Sequence, residues 1–277
     1  MGNGFFTDTT LCIGCKACEV ACKQWNQLPA DGYQFTGDSY DNTSALGGTT
    51  WRHVAFIEQN APPDEPPTMN KWLMMSDVCK HCTHAGCLEA CPTGAIVRNE
   101  FDDVYIQPDI CNGCGYCVPS CPFGVVDLMA SADYTESRHF VSDGRTHDDA
   151  TQTRGGVAGK CTLCYDRQKI GVEPACAKAC PTESIQFGDV DELHARAKAR
   201  VEQLQARGVD SYLYGVDSGS SVGDLNAFFL LTDVPEAYNL PSRPVLPSTR
   251  QPAAYASAAI VATALALAGF AIFRGAR

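Results

Sequence analysis

Apolar and polar positions recur along this chain at different periods, and each period predicts a different element. From Asp189 to Gly208, "DVDELHARAKARVEQLQARG" sets Val190, Leu193, Ala197, Val201 and Leu204 at helical spacing, and Gly208 suits a C-terminal cap. "TWRHVAFIEQ" (50–59), "SYLYGV" (211–216) and "AFFLLTD" (227–233) read as strands. In "AIVRNEFDDVYIQPDIC" (95–111), alternating apolar residues flank a polar "NEFDD", the pattern of a hairpin. The last run, "QPAAYASAAIVATALALAGFAIF" (251–273), is uncharged for 23 residues between Arg250 and Arg274. That is long enough to cross a bilayer as a helix. A buried core helix is the other reading, but the terminal position and the bounding arginines favour a membrane anchor. Ala254, Ala258, Ala262 and Ala266 lie four apart on one face, where small side chains let a second helix approach closely. Two stretches are poor in apolar residues: "NAPPDEPPTMN" (60–70), a Pro-rich acidic loop, and "SADYTESRHFVSDGRTHDDATQTRGG" (131–156), a surface excursion.

Cysteine changes this picture. The chain has 277 residues and 16 cysteines, and all of them fall into four groups of four. Group one is Cys12, Cys15, Cys18 and Cys22, and group two is Cys79, Cys82, Cys87 and Cys91. Group three is Cys111, Cys114, Cys117 and Cys121, and group four is Cys161, Cys164, Cys176 and Cys180. Cysteines three apart cannot easily bridge each other, so disulfides are a poor explanation. Structural zinc also takes four thiolates, but usually from two distant CxxC knuckles. CxxCxxC followed by three residues and Cys-Pro is the iron–sulfur run of two-cluster ferredoxins, whose fourth cysteine ligates the other cluster. "CPTGAI", "CPFGVV" and "CPTESI" repeat after groups two, three and four, whereas group one continues as "CKQWNQ" without proline.

If every fourth cysteine crosses over, the groups work in pairs. Groups two and three, close in sequence, form an inner unit over 79–121, and groups one and four form an outer one. The expected ligand sets of four [4Fe–4S] clusters are Cys12, Cys15, Cys18 with Cys180; Cys161, Cys164, Cys176 with Cys22; Cys79, Cys82, Cys87 with Cys121; and Cys111, Cys114, Cys117 with Cys91. The fold class expected is α+β: two ferredoxin-like units with loop insertions over 1–250, a transmembrane helix over 251–273 and a short tail over 274–277.

A net charge of −11 argues against a nucleic-acid surface, and an apolar share of 45% allows a sizeable core. No P-loop, GxGxxG segment, carboxylate pair or nucleophile–base arrangement points to chemistry on a substrate, so no catalytic residue is expected. Lys16, Lys80 and Lys160 each adjoin a cysteine and Lys178 lies between two. Positive charge near sulfur raises a cluster's potential, which makes these lysines candidate tuning residues; ordinary solvated lysines are the other reading. His81 and His84 are of a type that ligates metal, but four cysteines are already available there, while His53, His139, His147 and His194 carry no constellation in the sequence.

"CIGCKACEVACKQWN", "DVCKHCTHAGCLEACPTGA", "CNGCGYCVPSCPFG" and "KCTLCYDR…PACAKACPTESI" closely resemble the iron–sulfur (beta) subunit of membrane-bound respiratory formate dehydrogenases. The wider family serves molybdopterin oxidoreductases such as dimethyl-sulfoxide, polysulfide and nitrate reductases, and an equivalent subunit of the polysulfide or dimethyl-sulfoxide type, or of a hydrogenase, is the alternative; nitrate-type relatives lose one cysteine of group three, which this chain keeps. The resemblance implies an electron wire. A molybdopterin catalytic (alpha) subunit, holding molybdenum or tungsten, would feed the Cys12 site. The Cys161, Cys79 and Cys111 sites would follow, and a membrane (gamma) subunit would reduce quinone. The start, "MGNGFFTDTT", shows no secretory or twin-arginine signal, and Arg243 and Arg250 before the helix balance Arg274 and Arg277 after it. Those features alone favour the cytoplasmic face. The resemblance implies the outer, periplasmic face, reached by export of the folded subunit with a catalytic partner.

Overall fold

The computed structural model describes residues 2–30, 41, 43, 45–60, 71–129 and 156–275. Nearly all of the two loops expected over 60–70 and 131–156, and Arg277, lie outside these residues.

A four-stranded sheet in the order β8-β1-β10-β9 backs the molecule. Its strands are β1 (Asn3–Asp8), β8 (Ile185–Asp189), β9 (Tyr212–Tyr214) and β10 (Ala227–Leu231). β1 pairs antiparallel with β8 and parallel with β10, so strands from both ends of the chain lie side by side. Every residue of β10 is buried, as expected of an apolar run with both faces covered. Helix α6 (Val190–Gln205) packs against β1 and β8. Asp189 caps its N-terminus by accepting hydrogen bonds from the Asp191 and Glu192 backbone N–H groups, and Gly208 ends it at φ +80°. Leu193, Ala197 and Leu204 of the expected stripe are buried.

The other elements are short and stand beside the cysteines. They are α1 (Ala17–Trp25), the antiparallel pair β2 (Arg52–Gln59) and β3 (Lys71–Val78), α2 (Gly86–Glu89), the hairpin β4 (Ile96–Arg98) and β5 (Val104–Ile106), α3 (Cys117–Ser120), the pair β6 (Asp127–Leu128) and β7 (Ala158–Gly159), α4 (Tyr165–Gln168) and α5 (Ala175–Lys178). The strands expected over 50–59, 211–216 and 227–233 are present, as is the hairpin over 95–111. β1, β3 and the short helices were not foreseen. Their apolar runs are too brief or too ambiguous to show a period, and tertiary pairing decides them.

A last helix, α7 (Gln251–Gly275), follows a turn of 3-10 helix at Pro247–Arg250. Its span from Tyr255 to Arg274 is long and apolar enough to cross a membrane. Ile260, Val261, Leu265, Leu267, Phe270, Ile272 and Phe273 are all exposed. Ala258, Ala262 and Ala266 are likewise exposed.

Gly4 and Gly188 face each other across β1 and β8. A Cβ on Gly4 would stand 2.0 Å from the Asn226 carbonyl oxygen, which accepts the Phe5 N–H of the sheet, whereas one on Gly188 meets nothing within 4 Å. Gly4→Ala is therefore expected to cost about 2–3 kcal/mol, as overpacking of a well-packed interior does. Gly188→Ala is expected to match the parent. Thermal melts and iron content of the two variants, purified side by side, check this.

Candidate metal centres

The sheet and the short helices have one result in common: they carry cysteines from distant parts of the sequence to the same places. Cys12 follows β1 and Cys180 precedes β8, so the β1–β8 pairing brings groups one and four together. The Asp8 N–H donates to the Ser184 carbonyl at 2.8 Å, and the Ser184 hydroxyl donates to the Asp8 carbonyl at 2.7 Å. Packing of α1 on α5 does the same for Cys18, Cys22 and Cys176. Packing of α2 on α3 joins groups two and three. β10 holds group two to the sheet, because the Ala227 N–H donates to the Lys80 carbonyl at 3.0 Å and Leu225 bridges to Cys82.

The outcome is crossed sets of sulfurs. One cavity is lined by Cys12, Cys15, Cys18 and Cys180. A second is lined by Cys79, Cys82, Cys87 and Cys121. Cys22 has Cys161, Cys176 and Cys164 as its interacting sulfurs, and Cys117 has Cys111, Cys114 and Cys91. The sets follow one another: Cys18 interacts with Cys176, Cys161 with Cys79, and Cys87 with Cys117. Within this row the Cys161 set is the most enclosed, with Cys22, Cys161, Cys164 and Cys176 all buried. Cys15 and Cys114 are the two exposed cysteines and belong to the sets at opposite ends.

Local backbone conformation explains the loops. Left-handed residues recur where the chain wraps each site: Gly14 and Lys16, His81, Gly113 and Gly115, Leu163 and Cys164. A Cβ on Gly14 would lie 2.6 Å from both Met74 and Phe56, so the first loop seats closely on β2 and β3. The repeated Cys-Pro turn places Gly94, Gly124 and Glu183, each three residues past its cysteine, at positive φ. Group one lacks this turn because α1 runs on through Cys22 to Trp25.

The electrostatics disfavour a bare thiolate at the enclosed cysteines. Burial pushes the Cys18, Cys87 and Cys161 thiols up to about 12 and Cys117 to about 11. Burial and neighbouring sulfurs push Cys22, Cys82 and Cys164 well above the ordinary thiol value. Four such groups cannot ionise together in a dry site. Coordinated iron reverses this, because a metal-bound thiol is deprotonated outright. The surroundings also offer donors to sulfur. The Leu163 N–H donates to Cys161 Sγ at 3.3 Å, the Ala158 N–H to Cys111 Sγ at 3.4 Å, and the Ser76 hydroxyl stands 3.2 Å from Cys18 Sγ.

The four lysines occupy different settings. Lys160 is buried, donates to the carbonyls of Val104 and Cys161, and faces Cys79, Cys87 and Cys161. Burial lowers its pKa, but those sulfurs outweigh burial and leave it raised. Lys80 is also buried; it pairs with Asp77 and lies over the rings of Phe123 and Phe229. Lys178 is exposed. Lys16 turns to carboxylates, 2.7 Å from Asp41 and 3.2 Å from Glu19. His53, which has no constellation in the sequence, stands 3.0 Å from Asp41 and 3.1 Å from Glu19 in the fold. Glu19, Asp41 and His53 are close enough to hold an ion, but the Lys16 ammonium already supplies their positive charge. His81 is fully buried, and its Nδ1 accepts the Val104 N–H at 3.2 Å.

One residue was missed by sequence reasoning. Arg52, at the start of β2, is 1% exposed, and its guanidinium lies 4.7 Å from the Phe5 ring centroid. Nη1 donates to the Ser76 hydroxyl at 3.1 Å, while Nε and Nη2 are buried without a protein partner. No motif marks it. Only the pairing of β2 with β3 turns an ordinary strand arginine into an interior cation.

Comparison with known proteins fixes the nature of these sites. A model described as a 4Fe-4S dicluster domain matches residues 70–142 and 145–190, and another of the same description matches residues 11–95. The formate dehydrogenase iron-sulfur subunit of Haemophilus influenzae is 37% identical over 241 residues, covering 86% of this chain and 68% of that protein. The nitrate-inducible formate dehydrogenase iron-sulfur subunit of Escherichia coli K12 is 37% identical over 241 residues, covering 86% and 71%. This protein belongs to the family of formate dehydrogenase iron–sulfur subunits. Within this family the zinc reading falls away: the cysteines hold [4Fe–4S] clusters, and the role of the subunit is electron transfer. The B subunit of the Escherichia coli K12 anaerobic dimethyl sulfoxide reductase is a more distant relative, 29% identical over 198 residues and covering 70% of this sequence and 76% of its own.

Proposed function

We propose that this iron–sulfur subunit carries electrons from formate oxidation, performed on a molybdopterin catalytic (alpha) subunit, to a quinone-reducing membrane (gamma) subunit. The observation that carries the reading is the row of sulfur sets with one exposed cysteine at each end, Cys15 and Cys114, and the buried Cys161–Cys79 junction between them. Bound in these sites, each [4Fe–4S] cluster supplies one-electron oxidation and reduction. The protein's part is to hold the sites in file, exclude water from the middle of the row and leave both ends accessible. Electrons enter at the set of Cys12, Cys15, Cys18 and Cys180. They pass the set of Cys161, Cys164, Cys176 and Cys22, then that of Cys79, Cys82, Cys87 and Cys121. They leave at the set of Cys111, Cys114, Cys117 and Cys91.

The direction is supported by the root of α7. The turn before it packs on α2, next to groups two and three: a Cβ on Gly86 would stand 3.5 Å from Pro247 and 2.4 Å from the Ser120 carbonyl oxygen. The exit end of the row is therefore the end nearer the apolar helix. We read residues 1–250 as the electron-transfer domain, 251–273 as a single membrane span and 274–277 as its tail. The bare apolar surface of α7 supports that reading, since an isolated helix of this kind needs lipid or another helix around it. Ala254, Ala258, Ala262 and Ala266 then form the face that meets the membrane subunit. The domain is placed outside the cytoplasmic membrane, with Arg274 and Arg277 inside.

Three measurements test these statements. The purified complex is expected to yield about sixteen iron and sixteen sulfide per copy of this subunit, and a structure of the loaded protein to show Cys22, Cys180, Cys91 and Cys121 crossed between sites. Closure of any sequence group on a single cluster overturns the sets. Cys111→Ser is expected to reduce formate-dependent quinone reduction at least tenfold, while formate oxidation with an artificial acceptor falls far less; equal loss of both in an assembled complex counts against the exit. Protease added to right-side-out spheroplasts is expected to digest the domain, and its protection until lysis would place the domain inside.

A further inference from the structure

We propose that Arg52 is a positioning residue that electrostatically joins the first two cluster sites, acting as their shared counter-ion and raising the potentials of both. This rests on the four-cluster reading above. A guanidinium cannot lose its proton in a protein, so its charge is fixed. Burying such a charge unpaired is costly. Among the described residues Arg52 makes no ion pair with a carboxylate, and Phe5 and Ser76 supply only a ring face, a hydroxyl and a carbonyl oxygen. The negative charge it faces is sulfur. Its charged neighbours in order of strength are Cys176, Cys18, Cys161 and Cys22. Three of these belong to the Cys161 set and one to the Cys12 set.

The hydrogen-bonding groups agree with this. A buried guanidinium with two N–H faces idle breaks the rule that interior polar groups find partners. Here the idle atoms are Nε and Nη2. A cluster whose irons are held by the facing cysteines would offer those donors sulfur acceptors, and hydrogen bonds to sulfur raise a cluster's potential. The third nitrogen, Nη1, is tied to Ser76, whose hydroxyl in turn meets Cys18 Sγ at 3.2 Å. One side chain thus reaches the first site through Ser76, while three of its four strongest charged neighbours belong to the second. No proton moves when either site takes up an electron, since Arg52 stays protonated in both states.

The test is a redox titration of the purified membrane complex followed by electron paramagnetic resonance, with iron and sulfide measured in each sample. R52Q removes the charge and keeps a polar side chain. At a fixed poise the oxidised-to-reduced ratio of the Cys161-set signal is expected to rise about tenfold, a fall of about 59 mV for a one-electron couple. The Cys12-set signal is expected to fall by less, and the other two to stay. R52K keeps the charge but loses the planar fork, so it is expected to show a smaller fall at the same two signals. Loaded R52Q with all four potentials unchanged, or all four lowered alike, overturns the proposal. If R52Q does not load iron, R52K carries the test, and parent potentials in R52K overturn it. A parent complex lacking four cubane signals would overturn the four-cluster reading and this inference with it, whereas intact parent signals with indifferent variants overturn this inference alone.

Discussion

Negative charge on sulfur in a dry interior is the constraint to which the rest of this fold answers. Thiolates repel one another, and burial penalises each of them. The chain meets the difficulty with iron–sulfur clusters held by these cysteines and with hydrogen-bond donors and fixed cations beside them. Arg52 and Lys160 are buried cations without a carboxylate partner among the described residues, and both face cysteines of two neighbouring sets. Lys16 and Lys80, in contrast, are matched with Glu19, Asp41 and Asp77. A cation already neutralised by a carboxylate exerts a weaker field on nearby sulfur. The two unpaired cations are therefore the stronger influences on the clusters.

Secondary structure is subordinate to this arrangement. The helices that bear ligands are mostly single turns, too short to be stable by themselves. The sheet supplies rigidity from behind, through an apolar core in which Phe228, Phe229, Leu230 and Leu231 of β10 are fully enclosed. Site and scaffold meet at a few backbone bonds, such as that from Ala227 to Lys80.

The parts legible in the sequence were those fixed by local chemistry. Cysteine spacing is set by what one loop can wrap, so the four groups and their repeats stand out along the chain. The helix over 190–205, the hairpin and the uncharged run are long or regular enough to carry their own period. The parts that were hidden depend on distant partners. β1 is a strand because β8 and β10 flank it. Arg52 and His53 are adjacent in sequence and both are buried, yet one faces sulfur and the other a carboxylate pair. The neighbours of Cys22 and Cys180 followed from the exchange rule, but nothing in the sequence revealed that one arginine stands between the sets they join.

The pairing of β1 with β8 also has a consequence for biosynthesis. Cys12 is the first cysteine to leave the ribosome, yet its companion Cys180 is the last. The inner sulfurs, from Cys79 to Cys121, are all available much earlier. The inner groups can therefore meet while the chain is still growing, whereas Cys12 and Cys180 meet only once translation has passed β8.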